Sequence, residues 1–129
     1  MRAIDTNVAV RFLTGDDRLQ AQAARAAMET GDIFIATTVF LETEWVLRSG
    51  YGFTSARIGA ALRRLAGLVG VTVEEPTVLA RALDWHEAGM DFADALHLAK
   101  TEGCEAFLTF DRRLARTAEG LSPIRVESP

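Results

Sequence analysis

The chain has 129 residues, of which 49% are hydrophobic and 25% are charged, a balance that excludes a disordered or fibrous protein. Eighteen acidic residues against fourteen basic ones give a formal net charge of -4, which excludes nucleic-acid binding by bulk positive charge alone. The single cysteine excludes an internal disulfide, and the sequence shows no export signal or membrane-length apolar run, so we expect a cytoplasmic location.

Apolar runs of strand length alternate with amphipathic stretches of helical length, an order that predicts an α/β fold. The predicted strands, in chain order, are 1–4, 32–36, 71–73, 106–109 and 124–126. The predicted helices cover 8–13, 18–29, 39–49, 55–68, 77–87 and 92–102. Three helix starts are marked by Asp16 or Asp17, by Thr37 or Thr38, and by Pro76. No repeat or long linker interrupts the pattern, so we expect one domain over residues 1–129 with a central parallel sheet of about five strands.

Two acidic residues directly follow predicted strands. Asp5 opens the segment Asp5-Thr6-Asn7 after the first strand, and Asp111 follows the strand that ends at Thr109. Because the carboxyl ends of parallel strands form the ligand-binding edge of such sheets, both acids are candidates for a site. The structural alternative is that each one caps the helix that follows it.

Glu42 is predicted to project from an apolar helix face, because its neighbours on the helical wheel are Val39, Trp45 and Val46. A buried carboxylate is costly unless it is paired or binds a cation. Glu44 precedes Arg48 by one turn, so a surface ion pair is sufficient to explain it. The sequence therefore singles out Glu42.

Asp91 and Asp94 stand at the start of a predicted helix, three residues apart. Capping and compensation of the helix dipole explain Asp91, whereas Asp94 could also reach the sheet edge of Asp5 and Asp111. Converging carboxylates repel one another unless a divalent cation neutralises them, and hard cations such as Mg²⁺ or Mn²⁺ prefer oxygen ligands. Such a site suits hydrolysis of phosphodiester bonds.

Four segments in this order resemble the PIN domain, and in particular its VapC toxin branch. They are Asp5-Thr6-Asn7, the stretch 40–47 around Glu42, Asp91-Phe92-Ala93-Asp94-Ala95-Leu96, and Thr109-Phe110-Asp111. The resemblance covers nearly the whole chain. It implies an endoribonuclease that depends on Mg²⁺ or Mn²⁺ and is inhibited by a cognate VapB-like antitoxin. The protein is then expected to form a homodimer or a toxin–antitoxin hetero-oligomer, with no membrane partner.

The resemblance also implies residue roles. Asp5 and Asp94 are expected as the principal metal ligands, with Glu42 and Asp111 completing a catalytic acidic site. The supporting residues are expected to be Thr6, Asn7, Thr109 and Asp91, the last of which could itself ligate the metal. Our separate hypothesis is that arginines contact substrate phosphates. The arginines concerned are Arg11, Arg48, Arg112, Arg113 and Arg116, with Arg112 and Arg113 as the pair to test.

Two alternatives remain open from the sequence. A phosphatase with a nucleophilic aspartate after its first strand needs a second acid two residues later, where Asn7 stands. A magnesium-binding receiver or other non-catalytic module needs a late lysine, and the only lysine, Lys100, lies within a predicted helix.

Overall fold

The structure, a computed structural model, describes all 129 residues, and the chain divides into two compact units, Met1–Pro76 and Thr77–Pro129. The first unit contains, in order, β1 (Arg2–Ala3), α1 (Thr6–Thr14), α2 (Arg18–Glu29), β2 (Ile33–Ile35), α3 (Thr37–Ser49), α4 (Ser55–Ala66) and β3 (Val71–Val73). The second unit follows with α5 (Pro76–Glu87, beginning at the last residue of the first unit), α6 (Phe92–Ala99), β4 (Phe107–Leu108), α7 (Arg112–Glu119) and β5 (Val126–Glu127).

All five strands pair in parallel, which confirms the predicted α/β class. In the first unit the order is β1-β2-β3, with Ala3 beside Phe34 and Phe34 beside Thr72. In the second unit β4 pairs with β5, with Phe107 beside Val126. Within each unit the strands therefore end at a common edge, from which the following helices begin.

Two glycines let β2 and β3 start side by side. A Cβ atom on Gly70 would lie 2.9 Å from the Cα atom of Gly31, and Gly70 has a φ angle of +84°, which favours glycine. The carbonyl oxygen of Gly70 accepts a hydrogen bond of 2.8 Å from the amide of Ile33, the first residue of β2. This close approach sets the register of the two strands.

The helices bury apolar residues at helical spacing. In the first unit α4 buries Ile58, Leu62 and Leu65, and in the second α6 buries Phe92 and Leu96 among others. Full burial of each such side chain is worth about 1.5–3 kcal/mol before the entropy of ordering it is subtracted. No helix is both long enough and apolar enough to cross a membrane.

Most predicted elements are present, with shifts at their ends. The ranges 18–29 and 71–73 match α2 and β3, and Asp17 and Pro76 start their helices as expected. The threonine cap of α3 was wrongly predicted, because Ala36 is at the N-cap position and makes no side-chain cap bond. The helix α7 was not predicted, since only Leu114 and Ala118 of its eight residues are buried.

Candidate functional site

Asp5 is the N-cap residue of α1. It has an extended backbone, and its Oδ1 atom accepts a hydrogen bond of 3.0 Å from the amide of Val8. The capping interpretation of Asp5 is therefore confirmed. Capping uses only one carboxylate oxygen, and Asp5 is exposed, so its second oxygen remains available to a ligand.

Thr6 connects the end of β1 to α3. Its hydroxyl donates a hydrogen bond to Oε1 of Glu42, which lies 36 residues further along the chain. Since Thr6 is next to Asp5, this contact brings Glu42 to the segment that Asp5 opens. The first unit thus brings two of the predicted site acids to one location.

The predicted burial of Glu42 is wrong. Glu42 is exposed, whereas Glu44 is only 2% exposed and belongs to the buried stripe of α3 together with Phe40, Thr43 and Leu47. The sequence prediction had placed Trp45 beside Glu42 on a buried face of the helix, but Trp45 is 57% exposed. The buried stripe follows the spacing i, i+3, i+4, i+7.

The expected ion pair of Glu44 explains how this carboxylate can be buried. The Nε atom of Arg48 donates to Oε2 of Glu44 at 2.8 Å. Because Arg48 compensates the charge, α3 can pack this face inward. Glu42 is left on the exposed side of the helix, where a ligand can reach it.

Asn7 and Arg11 lie on the side of α1 that faces α2. Both line a groove of about 220 Å³, of which the other lining residues are Val8, Gln20, Ala23, Ala24 and Ala27. The guanidinium of Arg11 donates to Oε1 of Gln20 at 2.8 Å and to the hydroxyl of Tyr51 at 3.1 Å. Arg11 is therefore engaged in holding α1 against its neighbours, as Arg48 is engaged with Glu44.

Asp91 caps α6 in the second unit. Its Oδ1 atom accepts a hydrogen bond of 3.0 Å from the amide of Asp94, which lies in the first turn of the helix. The capping interpretation of Asp91 is confirmed. Asp91 is exposed and Asp94 is half-buried, so the carboxyl group of Asp94 is the less solvated of the two.

The pKa of Asp94 is raised above its ordinary value. Burial is the largest cause, followed by the negative charges of Asp91 and Asp111, and the charge of His97 opposes them. The second unit therefore brings Asp91 and Asp111 close enough for their charges to act on Asp94. A cation bound at Asp94 would relieve this repulsion.

Asp111 and Thr109 form the turn between β4 and α7. The amide of Asp111 donates to the hydroxyl of Thr109 at 3.0 Å, and Oδ1 of Asp111 accepts from the amides of Arg113 and Leu114 at 2.9 and 3.0 Å. Asp111 thus caps α7 with one oxygen and keeps the other available, as Asp5 does in the first unit. Arg112 and Arg113 are exposed on the first turn of α7.

The chemistry of these donors suits a hard divalent cation. Asp5, Glu42 and Asp111 each have one carboxylate oxygen in a hydrogen bond and one without. Oxygen donors of this kind are what Mg²⁺ and Mn²⁺ prefer. The structure shows no group of three or more His, Cys, Asp or Glu side chains that are placed to hold a metal ion.

The sequence interpretation missed one exposed aromatic residue. Phe110, between Thr109 and Asp111, is 84% exposed. The available signal was its position between Thr109 and Asp111, two residues that the sequence already assigned to the site.

The family model of the PIN domain matches residues 3–120. Among solved structures, the chain is similar to the crystal structure of Mycobacterium tuberculosis VapC20, a sarcin–ricin loop cleaving toxin. The two sequences are 21% identical, the match covers 97% of this chain and 99% of that chain, and the TM-score is 0.43. No curated protein matches the chain.

Proposed function

Since the chain belongs to the PIN-domain family, we propose that it is an endoribonuclease that depends on Mg²⁺ or Mn²⁺ and hydrolyses RNA phosphodiester bonds. The observation that carries the proposal is the hydrogen bond by which Thr6 holds the carboxylate of Glu42 beside Asp5, the residue that caps α1. In the second unit, burial and the charges of Asp91 and Asp111 raise the pKa of Asp94. A bound divalent cation would favour the ionised form of such a carboxyl group.

We propose Asp5, Glu42, Asp94 and Asp111 as the metal ligands because the segments that carry them resemble the PIN-domain pattern. A bound divalent cation would supply neutralisation of phosphate charge and acidification of a water molecule. The other residues have supporting tasks. The hydroxyl of Thr6 orients Glu42, and the hydroxyl of Thr109 holds the backbone of Asp111.

Asn7 and Asp91 have less direct roles in this proposal. Asn7 is exposed in the first turn of α1, two residues beyond Asp5, where its amide can hydrogen-bond a bound substrate. Asp91 positions the helix that carries Asp94 and adds to the negative charge around it. Arg112 and Arg113 contact phosphates of the RNA, since arginine forks match phosphate oxygens.

We further propose a biological setting in which this nuclease is the toxin of a VapBC-like toxin–antitoxin module in the cytoplasm. Its partners are then an RNA substrate and a VapB-like antitoxin, in a homodimer or a toxin–antitoxin hetero-oligomer. The similarity of the four acidic segments to the VapC branch supports this setting. Growth arrest on expression, relieved by Glu42→Gln, is the expected result in cells.

Incubation of the purified protein with labelled RNA, with and without EDTA, tests the nuclease activity directly. Asp5→Asn is the decisive variant, because asparagine caps a helix as well as aspartate does but removes the charge. We expect cleavage by the wild type with Mg²⁺ or Mn²⁺, none with EDTA, and at least a hundredfold loss in Asp5→Asn, the scale of removing one group that stabilises developing charge.

Asp17→Asn is the matched control, since Asp17 caps α2 and has no role in the proposed site. It should cleave RNA as the wild type does. Cleavage that resists EDTA, or that survives in Asp5→Asn, contradicts the proposal.

A further inference from the structure

Phe110 is the most exposed aromatic side chain of the protein. It is 84% exposed, and it lies in the turn between β4 and α7. A single exposed apolar side chain is common on protein surfaces, so a ligand at Phe110 is inferred from the turn and the charges around it. The neighbour that follows it is Asp111, one of the four acids assigned to the metal.

The turn that presents Phe110 is fixed on both sides. The amide of Thr109 donates to the carbonyl of Glu127 in β5 at 3.0 Å, and the amide of Asp111 donates to the hydroxyl of Thr109 at 3.0 Å. Asp111 is in turn bound to the first turn of α7, which buries Leu114. The ring is therefore held outward by a rigid turn, so that binding to it costs little ordering entropy.

Several positively charged side chains lie near Phe110 in the sequence. Arg112, Arg113 and Arg116 are exposed within six residues of Phe110, and their guanidinium groups make no ion pair. An exposed ring beside unpaired arginines is the combination by which proteins bind single-stranded nucleic acid, where bases stack on aromatics and arginines contact the phosphates. The net charge of the chain is -4, so this group of arginines gives the surface near Phe110 a positive charge that the chain as a whole lacks.

We propose that Phe110 stacks an unpaired base of the RNA substrate, while Arg112 and Arg113 contact the neighbouring phosphates. The inference rests on the proposed nuclease function, because it places the base beside Asp111. It implies a preference for single-stranded or unpaired RNA, since a base within a duplex has no open face to offer. The alternative is that a partner protein covers Phe110. The neighbouring arginines favour RNA, because they can contact its phosphates.

Binding without cleavage tests the proposal. Fluorescein-labelled single-stranded RNA of about 12 nucleotides, as oligo(U) and oligo(A), is titrated with the protein in EDTA and followed by anisotropy. Base stacking is worth a factor of about 5 to 150 in affinity, so Phe110→Ala should weaken binding by that amount. Phe110→Tyr should bind as the wild type does, and Phe110→Leu should behave like Phe110→Ala.

Two controls separate stacking from other effects. Val69→Ala truncates another exposed apolar residue, 98% exposed and far along the chain from any assigned acid, and should leave the affinity unchanged. Inorganic polyphosphate, which carries the charge but no bases, should bind Phe110→Ala as well as the wild type. Arg112→Gln combined with Arg113→Gln should weaken the binding of both RNA and polyphosphate.

Each outcome decides the proposal. RNA affinity unchanged in Phe110→Ala overturns it. Full affinity in Phe110→Leu also overturns it, because an aliphatic side chain cannot stack. The nuclease proposal fails separately, if the wild type binds RNA in a Phe110-dependent way but does not cut it when Mg²⁺ or Mn²⁺ is added.

Discussion

Thr6 of α1 donates a hydrogen bond to the carboxylate of Glu42 in α3. The contact joins two helices of the first unit directly beside Asp5, and it uses one oxygen of Glu42 while leaving the other available. Thr6 therefore acts as a positioning residue, whose hydroxyl determines where a second acid stands relative to the first. No local pattern in the sequence specifies this pair.

Removing the hydroxyl of Thr6 should reduce RNA cleavage without unfolding the protein. Thr6→Val keeps the shape of the side chain but loses the donor, and we expect kcat/KM to fall about tenfold, the effect of a hydrogen bond to a charged group worth about 1.5 kcal/mol. Thr6→Ser should retain most activity. Thr38→Val is the control, because Thr38 is exposed on α3 and outside the assigned site. Equal activity in Thr6→Val and Thr38→Val contradicts the positioning role.

Asp111 should show separate structural and chemical roles. Asp111→Asn keeps the cap of α7 and should preserve the free energy of unfolding within a few tenths of a kcal/mol, while metal-dependent cleavage is lost. Asp111→Ala should lose both the cleavage and about 1 kcal/mol of stability. Urea unfolding and a cleavage assay measure the two effects.

A matched substitution at another helix cap checks that lost stability alone does not abolish cleavage. Thr54 caps α4 by accepting from the amide of Arg57 at 3.2 Å, and it is not assigned to the site. Thr54→Ala should lose a similar amount of stability and still cleave RNA. If it is also inactive, the loss in Asp111 variants cannot be ascribed to metal binding.

The raised pKa of Asp94 predicts a pH dependence of stability in the metal-free protein. An acid whose pKa is higher in the folded state than in the unfolded state binds its proton more tightly when folded, so ionisation destabilises the fold. The wild type should therefore lose stability relative to Asp94→Asn as the pH rises from the unfolded value of 3.8 through the raised pKa of Asp94. Urea unfolding in EDTA at a series of pH values measures the difference, and a constant difference contradicts the prediction.

Asp16 serves as a control, because its effect on stability should change with pH in the opposite direction. A hydrogen bond from the hydroxyl of Tyr51 is the main cause that lowers the pKa of Asp16. Its contribution to stability is therefore present above the unfolded value and is lost as the pH falls through the lowered pKa. Asp16→Asn should be less stable than the wild type at neutral pH, and the two should converge in acid.

The two glutamates of α3 should respond oppositely to substitution. Glu44 is buried and paired with Arg48, so Arg48→Gln leaves a buried carboxylate poorly compensated and should cost about 1–3 kcal/mol of stability. Glu42→Gln should leave stability unchanged and reduce metal-dependent cleavage. Urea unfolding together with metal titration checks both expectations. A stable Arg48→Gln or an unfolded Glu42→Gln would reverse the assignment.

The order of the elements and several of their ends follow from short-range patterns in the sequence. Alternating apolar runs and amphipathic stretches depend on residues that are close in the chain, and so do caps such as Asp5, Asp17 and Asp91. These features follow from local propensity and from backbone groups that each helix end leaves unpaired. The acidic segments were visible for the same reason, because each lies within a few residues of a strand end.

The buried face of α3 and the contacts that complete its first turn depend on packing between distant parts of the chain. The amide of Thr37 donates to a carboxylate oxygen of Glu74 at 2.9 Å, and that residue follows β3, 37 residues away. Glu44 is buried because of what packs against the helix, and Glu42 is held by Thr6 from another helix. The periodicity of a helix identifies its possible faces, whereas burial and pairing depend on neighbours that are distant in sequence.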